Sequence, residues 1–410
     1  MRKKILTKMK KILFVINTLG RGGAENALIQ LIKKIDKNEY DISLFVVLGQ
    51  GELIEKIPSY VHILNEGYDS SSVLSKEGKK NLKKNIFKKL FKKAALLKNV
   101  FYIISNFFAM LFKGRVMPDK LLWKTLSDAC PAFDEEFDLA VAYLEGAAAY
   151  YVKDYVNAKK KAAFIHTNYQ DAGYTRKLDK SAYISFDRIF TVSEDARESF
   201  LSVYPECSDR TCVFDNIIDK DGILKKAEEN GGFEDNFTGK RILTIARLTP
   251  PKAVDVSIEA CKILIEKKEN IKWYVLGDGE LRSRLEDLIE RYNLKDSFIL
   301  LGVKDNPYTY LKQCDLYVHA SRSEGKSIAI REAQVMKKPM IVSDCRSNLE
   351  QVTDEEDALV SGLDPAELSD KIIRLLNDES LCKRLGENAG RKFIDGTENI
   401  AELLSLTNQD

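Results

Sequence analysis

Short apolar runs alternate with longer amphipathic segments along most of the chain. The first run, KILFVIN (11–17), is continuous and β-branched, and it ends in a glycine-rich turn before apolar residues with helical spacing. Similar runs follow at 41–48, 61–64, 137–143, 161–166, 187–193 and 211–216. Continuous apolar runs are typical of parallel strands that are buried on both faces. The pattern predicts a doubly wound α/β domain, which binds ligands at the carboxyl ends of its strands.

A second series of apolar runs begins after the polar stretch at 227–240, which is typical of a domain boundary. Its runs lie at 241–247, 273–277, 297–302, 315–321 and 339–344, with amphipathic segments between them. We therefore predict two Rossmann-like domains, 1–219 and 220–396, that face each other across a cleft. A last amphipathic helix at 397–410 can pack on either domain, including back on the first. Clefts between such domains are common small-ligand sites.

One segment of the first domain, an insertion at 78–115, departs from this alternation. No acidic residue lies between Glu77 and Asp119, whereas eleven lysines and arginines do. At helical spacing, residues 79–98 place apolar side chains on one side and Lys84, Lys88 and Lys92 on the other. Basic amphipathic helices of this kind lie on anionic membranes.

Four interpretations of residues 79–112 stay open. We favour peripheral docking on an anionic membrane surface. The segment can instead pack on the protein core. The apolar stretch 100–112 is too short to span a bilayer by itself, so a true span would have to extend back through Lys98. RNA binding is the weakest alternative, because basic charge alone carries no sequence preference.

Composition narrows the class of protein. With 410 residues, 44% hydrophobic and 9% aromatic, the chain is neither fibrous nor disordered. The net charge of +2 gives no overall attraction for nucleic acid, and we expect no nucleic-acid partner. Seven scattered cysteines without CxxC spacing and three isolated histidines argue against a disulfide framework and a metal site. A cytoplasmic location fits this cysteine pattern, and the N-terminus is predicted to be a strand rather than a signal peptide.

The segment DLYVHASRSEGKSIAIREA (315–333) is the richest in candidate chemistry. It predicts a buried strand, a polar turn, and a helix from Ile328 to Met336 that Ser327 caps. Glu324 precedes the helix and Glu332 lies inside it, eight positions later. The free amides and dipole at such a helix start favour an anion. His319, on the apolar strand, is expected to be a core residue.

SEGKSIAIREA resembles the corresponding motif of glycosyltransferase family 4, whose members are retaining enzymes with the GT-B fold. TIARLTPPKAVDVSIEA (244–260) is similar to the family segment whose two basic residues hold the donor diphosphate, and these match Arg247 and Lys252. Alanines at 246 and 253 stand where the family usually has glycines. GRGGAE (20–25), 273–289 and 297–306 also resemble family segments, so the likeness covers nearly the whole chain.

The resemblance implies a set of site residues. Arg247 and Lys252 would stabilise the leaving diphosphate, Glu324 would bind the donor sugar, and Glu332 would bind the ribose. His166, at the end of a predicted strand, matches a family histidine near the donor sugar. The implied catalytic residues are Arg247, Lys252, Glu324 and His166, and the implied donor-binding residues are Gly22, Gly23, Gly277, Val303, Gly325, Lys326, Ser327 and Glu332. The resemblance implies no cofactor and no divalent metal, with a UDP-sugar as donor.

The expected function is the transfer of a sugar from a nucleotide-sugar to an acceptor hydroxyl. The basic segment suggests that the acceptor is a glycan or a lipid-linked saccharide in surface polysaccharide synthesis, with the enzyme on the inner face of the cell membrane. Two alternatives stay open. One is a non-catalytic GT-B adaptor that partners another glycosyltransferase. The other is a different GT-B enzyme, such as a sugar-nucleotide epimerase or a phosphorylase.

Overall fold

Each of the two series of apolar runs forms one parallel sheet. The structure is a computed structural model that describes residues 9–73, 75–112, 114 and 116–408. The chain divides into a first unit, Met1–Ile217 with Gly396–Asp410, and a second unit, Ile218–Asp395. The units change two residues before the predicted boundary at 219, and the polar stretch 227–240 lies inside the second unit. That stretch is therefore a connection within one unit, not a domain linker.

The first unit contains a seven-stranded parallel sheet with the order β3-β2-β1-β4-β5-β6-β7. Its strands are β1 (Lys10–Ile16), β2 (Tyr40–Val46), β3 (His62–Ile63), β4 (Phe137–Ala142), β5 (Ala158–Ile165), β6 (Arg188–Thr191) and β7 (Thr211–Val213). Its helices before the second unit are α1 (Gly23–Lys34), α2 (Lys76–Phe91), α3 (Ala95–Phe112), α4 (Pro118–Asp128), α5 (Ala147–Tyr155) and α6 (Glu194–Leu201).

Both faces of this sheet are covered. Leu13 and Val15 of β1 belong to one hydrophobic cluster, together with side chains of α5. Ile12 and Phe14 belong to another cluster, together with side chains of α1. Successive residues of a strand point to opposite faces, so a strand that is covered on both sides must be apolar at every position. This explains the uninterrupted apolar runs.

The second unit contains a six-stranded parallel sheet with the order β10-β9-β8-β11-β12-β13. Its strands are β8 (Lys240–Ile245), β9 (Ile271–Leu276), β10 (Phe298–Gly302), β11 (Leu316–His319), β12 (Met340–Ser343) and β13 (Leu359–Ser361). Its helices are α7 (Lys220–Ala227), α8 (Val254–Glu266), α9 (Arg282–Arg291), α10 (Tyr308–Gln313), α11 (Ile328–Val335), α12 (Arg346–Leu349), α13 (Pro365–Asn377) and α14 (Glu379–Lys392). The strand order reverses direction between β8 and β11. In open α/β sheets, ligands bind at the carboxyl ends of the strands on either side of such a reversal.

The prediction of one basic helix over 79–98 is wrong. Helix α2 ends at Phe91, and Lys93 and Ala94 both adopt left-handed backbone conformations with φ of 52°. Such residues interrupt a right-handed helix. Helix α3 starts at Ala95 and continues for 18 residues, so it is longer than the predicted apolar stretch.

Among the described residues, one helical stretch, Lys76–Phe112, meets the length and composition of a membrane span. Only 22% of its most apolar window is buried inside the protein. The left-handed break at Lys93 and Ala94 divides this stretch into α2 and α3.

The C-terminal segment packs on the first unit. After Gly396 the chain forms a short helix, α15 (Ile400–Ser405), whose Leu403 is buried in the cluster that contains α1. Lys10 Nζ donates a hydrogen bond to the carbonyl of Thr407, 2.9 Å away. The C-terminal segment could have packed on either domain, and it therefore packs back on the first.

Candidate active site

The candidate site lies at the carboxyl ends of β8 and β11, the two strands at the reversal of the second sheet. Leu243 of β8 pairs with Tyr317 of β11. The turn after β8 carries Arg247 and Lys252, and the loop after β11 carries Glu324. The sheet therefore brings these three residues to one edge.

Three donors converge on one oxygen of Glu324. Ser321 Oγ donates to Glu324 Oε1 over 2.7 Å, and His319 Nε2 lies 2.9 Å from the same oxygen. The ammonium of Lys252 forms an ion pair with it. Glu324 Oε2 accepts no hydrogen bond among the described residues. This second oxygen leaves the carboxylate able to bind a ligand hydroxyl.

The charge of Glu324 is fixed by these neighbours. Burial acts to raise the pKa of the Glu324 carboxyl, but Lys252 and His319 together hold the pKa well below its usual range. A buried carboxylate is retained only when opposite charge and hydrogen bonds stabilise it. Glu324 is therefore ionised at neutral pH.

His319 connects this carboxylate to the strand. Tyr317 OH lies 3.1 Å from His319 Nδ1, on the side of the ring opposite Glu324. The tautomer with its proton on Nε2 satisfies both contacts, because Tyr317 then donates to Nδ1 and Nε2 donates to Glu324. His319 is buried, as predicted for a core residue, and it also contacts Glu324. The sequence feature that could have indicated this contact is the position of His319 at a predicted strand end, five residues before Glu324.

The turn that carries Lys252 is held by the loop after β11. Arg322 donates to both carboxylate oxygens of Asp255, over 3.0 and 2.7 Å, and its guanidinium also donates to the carbonyl of Pro250. Ala253 closes the turn with a left-handed backbone, φ of 47°. A glycine would adopt this conformation without strain, which explains why the family that this segment resembles usually has a glycine here. Ala253 adopts the same left-handed conformation, so the turn is preserved.

Arg247 is exposed directly after β8, and among the described residues its side chain makes no hydrogen bond or ion pair. Gly277 follows β9 with φ of 140°, and a Cβ there would lie 2.0 Å from the carbonyl oxygen of Ala246. Gly277 therefore allows the close backbone approach that sets the Arg247 turn. Val303 is exposed after β10, at the same edge of the sheet. Gly277 therefore contacts the backbone at the Arg247 turn, whereas Val303 lies at the carboxyl end of the edge strand β10.

Glu332 lies on α11 and has a different partner. Ser327 caps this helix, accepting from the amide of Ile330, and Gly325 and Lys326 lie in the loop before it. Tyr308 OH donates to Glu332 Oε1 over 2.8 Å, a contact that the sequence analysis missed. Burial raises the pKa of Glu332 to about 7, against the lowering effect of the Tyr308 hydrogen bond.

Glu324 and Glu332 act on one common neighbour. Burial raises the pKa of Tyr317 well above its usual range, and the charges of Glu332 and Glu324 both add to that rise. Tyr317 therefore keeps its phenolic proton at neutral pH.

The predicted site residues of the first unit lie at strand ends of their own sheet. His166 follows β5, with its ring centroid 4.9 Å from that of Tyr143 and 5.9 Å from that of Phe164. Burial lowers the pKa of His166 to about 3, so its ring is neutral. Its Nε2 is buried and has no hydrogen-bond partner among the described residues. Gly22 caps the start of α1, and Gly23 is the first residue of that helix.

Glu145 holds the backbone at His166. Its Oε1 accepts from the amides of His166 and Thr167, over 2.6 and 3.0 Å, and from the Thr167 hydroxyl over 3.1 Å. Burial raises the pKa of Glu145. This carboxyl was also missed from the sequence, because only the folded sheet brings 145 and 166 together.

Among the described residues, no group of three or more histidine, cysteine, aspartate or glutamate side chains could hold a metal ion. The seven cysteines are all free.

The second unit matches a known family. The model of the family described as Glycosyl transferases group 1 aligns with residues 227–392, which include Lys252, Glu324 and Glu332. Residues 227–392 are therefore similar to a group 1 glycosyltransferase domain. The match ends before α15, and it begins after the change of units.

Curated relatives are glycosyltransferases as well. The poly(ribitol-phosphate) alpha-N-acetylglucosaminyltransferase of Staphylococcus aureus is 25% identical over 58% of this chain and 47% of its own length. An N-acetylgalactosaminyltransferase of Campylobacter jejuni that acts on a diphospho-undecaprenol saccharide is 29% identical over 46% of this chain and 50% of its own. The chain thus spans about half the length of these relatives.

Solved glycosyltransferase structures share the fold over the whole chain. Anabaena HepE, solved with UDP and glucose, matches with a TM-score of 0.67 at 18% identity, over 97% of this chain and all of its own. Staphylococcus aureus TarM, solved as a mutant with UDP and saccharide ligands, matches with a TM-score of 0.65 at 15% identity, over 98% and 100%. The predicted GT-B fold is confirmed.

Proposed function

We propose that this glycosyltransferase moves a sugar from a UDP-sugar to an acceptor hydroxyl with retention of anomeric configuration and without a divalent metal. The observation that carries the proposal is the convergence of Lys252, His319 and Ser321 on Glu324 at the strand reversal. The group 1 domain match covers all four residues.

The charges at this edge suit a diphosphate leaving group. When the bond between the anomeric carbon and the diphosphate breaks, negative charge grows on the diphosphate oxygen. Fixed cations stabilise that charge more in the transition state than in the ground state. Arg247 and Lys252 supply two cations at the carboxyl ends of the strands, and this is the role that we propose for them.

The carboxylates suit hydroxyl groups. Glu324 is held ionised with one oxygen open, so it can accept hydrogen bonds from the donor sugar. Glu332 is proposed to accept from the ribose, and the loop of Gly325, Lys326 and Ser327 to approach the donor. His166 presents a neutral ring nitrogen, and we propose that it binds a sugar hydroxyl.

In the proposed reaction the bond from the anomeric carbon to the diphosphate breaks, and a bond to the acceptor oxygen forms on the same face. The acceptor proton passes to the released diphosphate, so no protein nucleophile is needed. The names of two relatives specify alpha-linked products. A donor with an alpha bond gives an alpha product only by retention.

The acceptor class is proposed from chemistry and from likeness. The Campylobacter relative acts, by its name, on a saccharide attached to diphospho-undecaprenol. We propose a lipid-linked saccharide acceptor in surface polysaccharide synthesis, and a cytoplasmic location where nucleotide-sugars are available.

Donor binding tests the role of Lys252. Isothermal titration with UDP and UDP-sugars, in EDTA and in magnesium, should show metal-independent binding that Lys252→Ala weakens at least tenfold. The loss of one charge-assisted hydrogen bond, about 1.5–3 kcal/mol, gives that factor. Lys262→Ala, on the exposed face of α8, is the matched control and should bind as the wild type does.

Product analysis tests the reaction. Incubation with a bound UDP-sugar and membrane-extracted lipid-linked saccharides should yield free UDP and an alpha-linked product by NMR. A beta-linked product would overturn retention. Binding without any sugar transfer or UDP release, across acceptors, would instead support the adaptor alternative, and equal affinity of wild type and Lys252→Ala would remove Lys252 from the donor site.

A further inference from the structure

Helix α3 buries both of its asparagines and its tyrosine and exposes most of its large apolar side chains. Its buried residues follow one face at intervals of three and four: Ala95, Asn99, Tyr102, Asn106 and Met110. The opposite face is exposed and purely apolar, formed by Leu97, Phe101, Ile104, Phe108, Leu111 and Phe112. We call these six residues the outer stripe. A helix on the surface of a soluble protein normally buries its apolar side chains and exposes its polar ones.

The inner face is fixed to the protein by hydrogen bonds. Asn99 Nδ2 donates to Asp128 Oδ2 of α4 over 2.7 Å, and Tyr102 OH donates to the carbonyl of Leu178 over 2.8 Å. Lys177 Nζ also donates to the carbonyl of Ser105 over 3.2 Å. These contacts hold α3 along the surface of the first unit, so the outer stripe is presented as a rigid face.

The outer stripe is larger and more apolar than the scattered apolar side chains of an ordinary protein surface. Phe101 and Phe112 are 85% and 91% exposed, and the stripe runs about 22 Å at a rise of 1.5 Å per residue. Contiguous apolar patches of this kind mark binding surfaces. The outer stripe can face water, another protein or lipid, and contact with water is the least favourable of the three for apolar side chains.

The lysines beside the outer stripe favour an anionic lipid surface over a protein partner. Helix α2 exposes Lys80, Lys84 and Lys88, and among the described residues these three lysines make no ion pair. Lys98 is exposed on α3 itself. A second copy of this chain would bring the same positive charges against each other, whereas an anionic bilayer attracts them. Apolar face and basic neighbours together fit the interface of such a bilayer.

We propose that α3 docks in the plane of an anionic lipid bilayer, with the outer stripe inserted among the acyl chains and the α2 lysines on the headgroups. A span is disfavoured, because lipid on all sides of α3 would separate Asn99 and Tyr102 from their partners in the first unit. This assignment does not depend on the proposed transfer reaction.

Vesicle flotation of the full-length protein tests the surface. Binding to phosphatidylcholine vesicles that contain 30% phosphatidylglycerol should exceed binding to pure phosphatidylcholine at least tenfold, and 0.5 M NaCl should weaken it. Phe101→Gln with Phe108→Gln should reduce partitioning at least tenfold, as should Lys80→Glu with Lys84→Glu. The matched controls are Ile184→Gln, an exposed apolar residue of the same unit, and Lys33→Glu with Lys34→Glu on α1. These controls should bind as the wild type does.

The depth of insertion is measured with tryptophan. In Phe101→Trp, fluorescence should shift to shorter wavelength with vesicles, and acyl-brominated lipid should quench it, whereas Ile184→Trp should show neither effect. This readout also covers the case in which the double glutamine variant fails to fold. Unchanged flotation of both charge and stripe variants would overturn the proposal. So would resistance to alkaline carbonate, which indicates a span, or a dimer in vesicle-free buffer that Phe101→Gln dissociates.

Discussion

Two buried carboxylates, one in each unit, have opposite pKa shifts. In the second unit, Glu324 has a side chain that is 8% exposed and accepts from Lys252, His319 and Ser321, and its pKa is held well below the usual range. In the first unit, Asp179 is 1% exposed and accepts from the hydroxyls of three tyrosines, Tyr150, Tyr169 and Tyr204. Burial raises the pKa of Asp179 to about 7, although these hydrogen bonds oppose the rise.

Burial is similar in the two places, so the charge of the partners decides the outcome. Three neutral hydroxyls do not compensate for the loss of water around a carboxylate, whereas one ammonium and two further donors do. Glu324 is therefore a permanent charge at a strand end, and Asp179 is a carboxyl that titrates near neutrality. The first is suited to a ligand site, and the second to holding the fold.

Removing the charge at 324 should have the largest effect. In Glu324→Gln, Lys252 and His319 lose their common anionic partner, and the donor sugar loses an acceptor. We expect kcat for sugar transfer to fall at least 100-fold, the scale for a missing transition-state contact. Steady-state kinetics of the purified enzyme would measure this, with Glu280→Gln, an exposed acid in the loop after β9, as the control. A fall of less than fivefold in a folded Glu324→Gln protein would contradict the comparison.

Asp179→Asn should change stability in a pH-dependent way. Because the folded pKa of about 7 lies above the ordinary value of 3.8, the folded state holds the proton more tightly than the unfolded state. The stabilisation is complete below the unfolded pKa and is lost as pH rises through about 7. Between pH 5 and 7 the free energy of unfolding of the wild type should fall by about 1 kcal/mol per pH unit relative to Asp179→Asn.

Urea unfolding measures that difference. In a Trp273→Phe background, the fluorescence of Trp123 reports on the first unit alone, since Trp123 lies on α4. Parallel stability curves for the Asp179→Asn variant and its parent across pH 5–8 would show that Asp179 is ionised throughout, and the contrast with Glu324 would disappear.

The sequence predicted the sheets well, because residues buried on both faces are apolar at every position. The exception is β13, whose three residues Leu359–Ser361 follow an acidic segment and make too short a run. The helix break at Lys93 and Ala94 was not predictable, since neither residue type favours a left-handed backbone. Local spacing likewise predicted a membrane-docking segment at 79–112, but it did not show that α3 buries Asn99 and Asn106 and exposes Phe101 and Phe108.

The candidate site was predictable only in part. Glu324 and Lys252 were found through motifs, and the sheet brings them into contact. The contact of Tyr308 with Glu332 depends on how two separate helices pack, and no local pattern encodes that. The contact of His319 with Glu324 lies within one segment, and only the position of His319 at a strand end indicated it.

Tyr308→Phe should have the smallest effect and would sharpen the comparison, because Glu332 combines features of Glu324 and Asp179. Burial raises its pKa to about 7, and the Tyr308 hydroxyl is the only hydrogen-bond donor to it among the described residues. If the ionised carboxylate accepts from the donor ribose, the affinity for UDP should rise as pH increases through about 7. Removing the Tyr308 hydroxyl raises the pKa of Glu332 further, so this transition should move upward by less than one pH unit. UDP affinity measured from pH 5.5 to 9 would show this upward shift of the transition. Tyr292→Phe is the control and should leave the pH dependence of UDP affinity unchanged, whereas Glu332→Gln should abolish it.

A pH profile that is the same in Glu332→Gln and the wild type would mean that Glu332, like Asp179, serves the fold rather than the ligand.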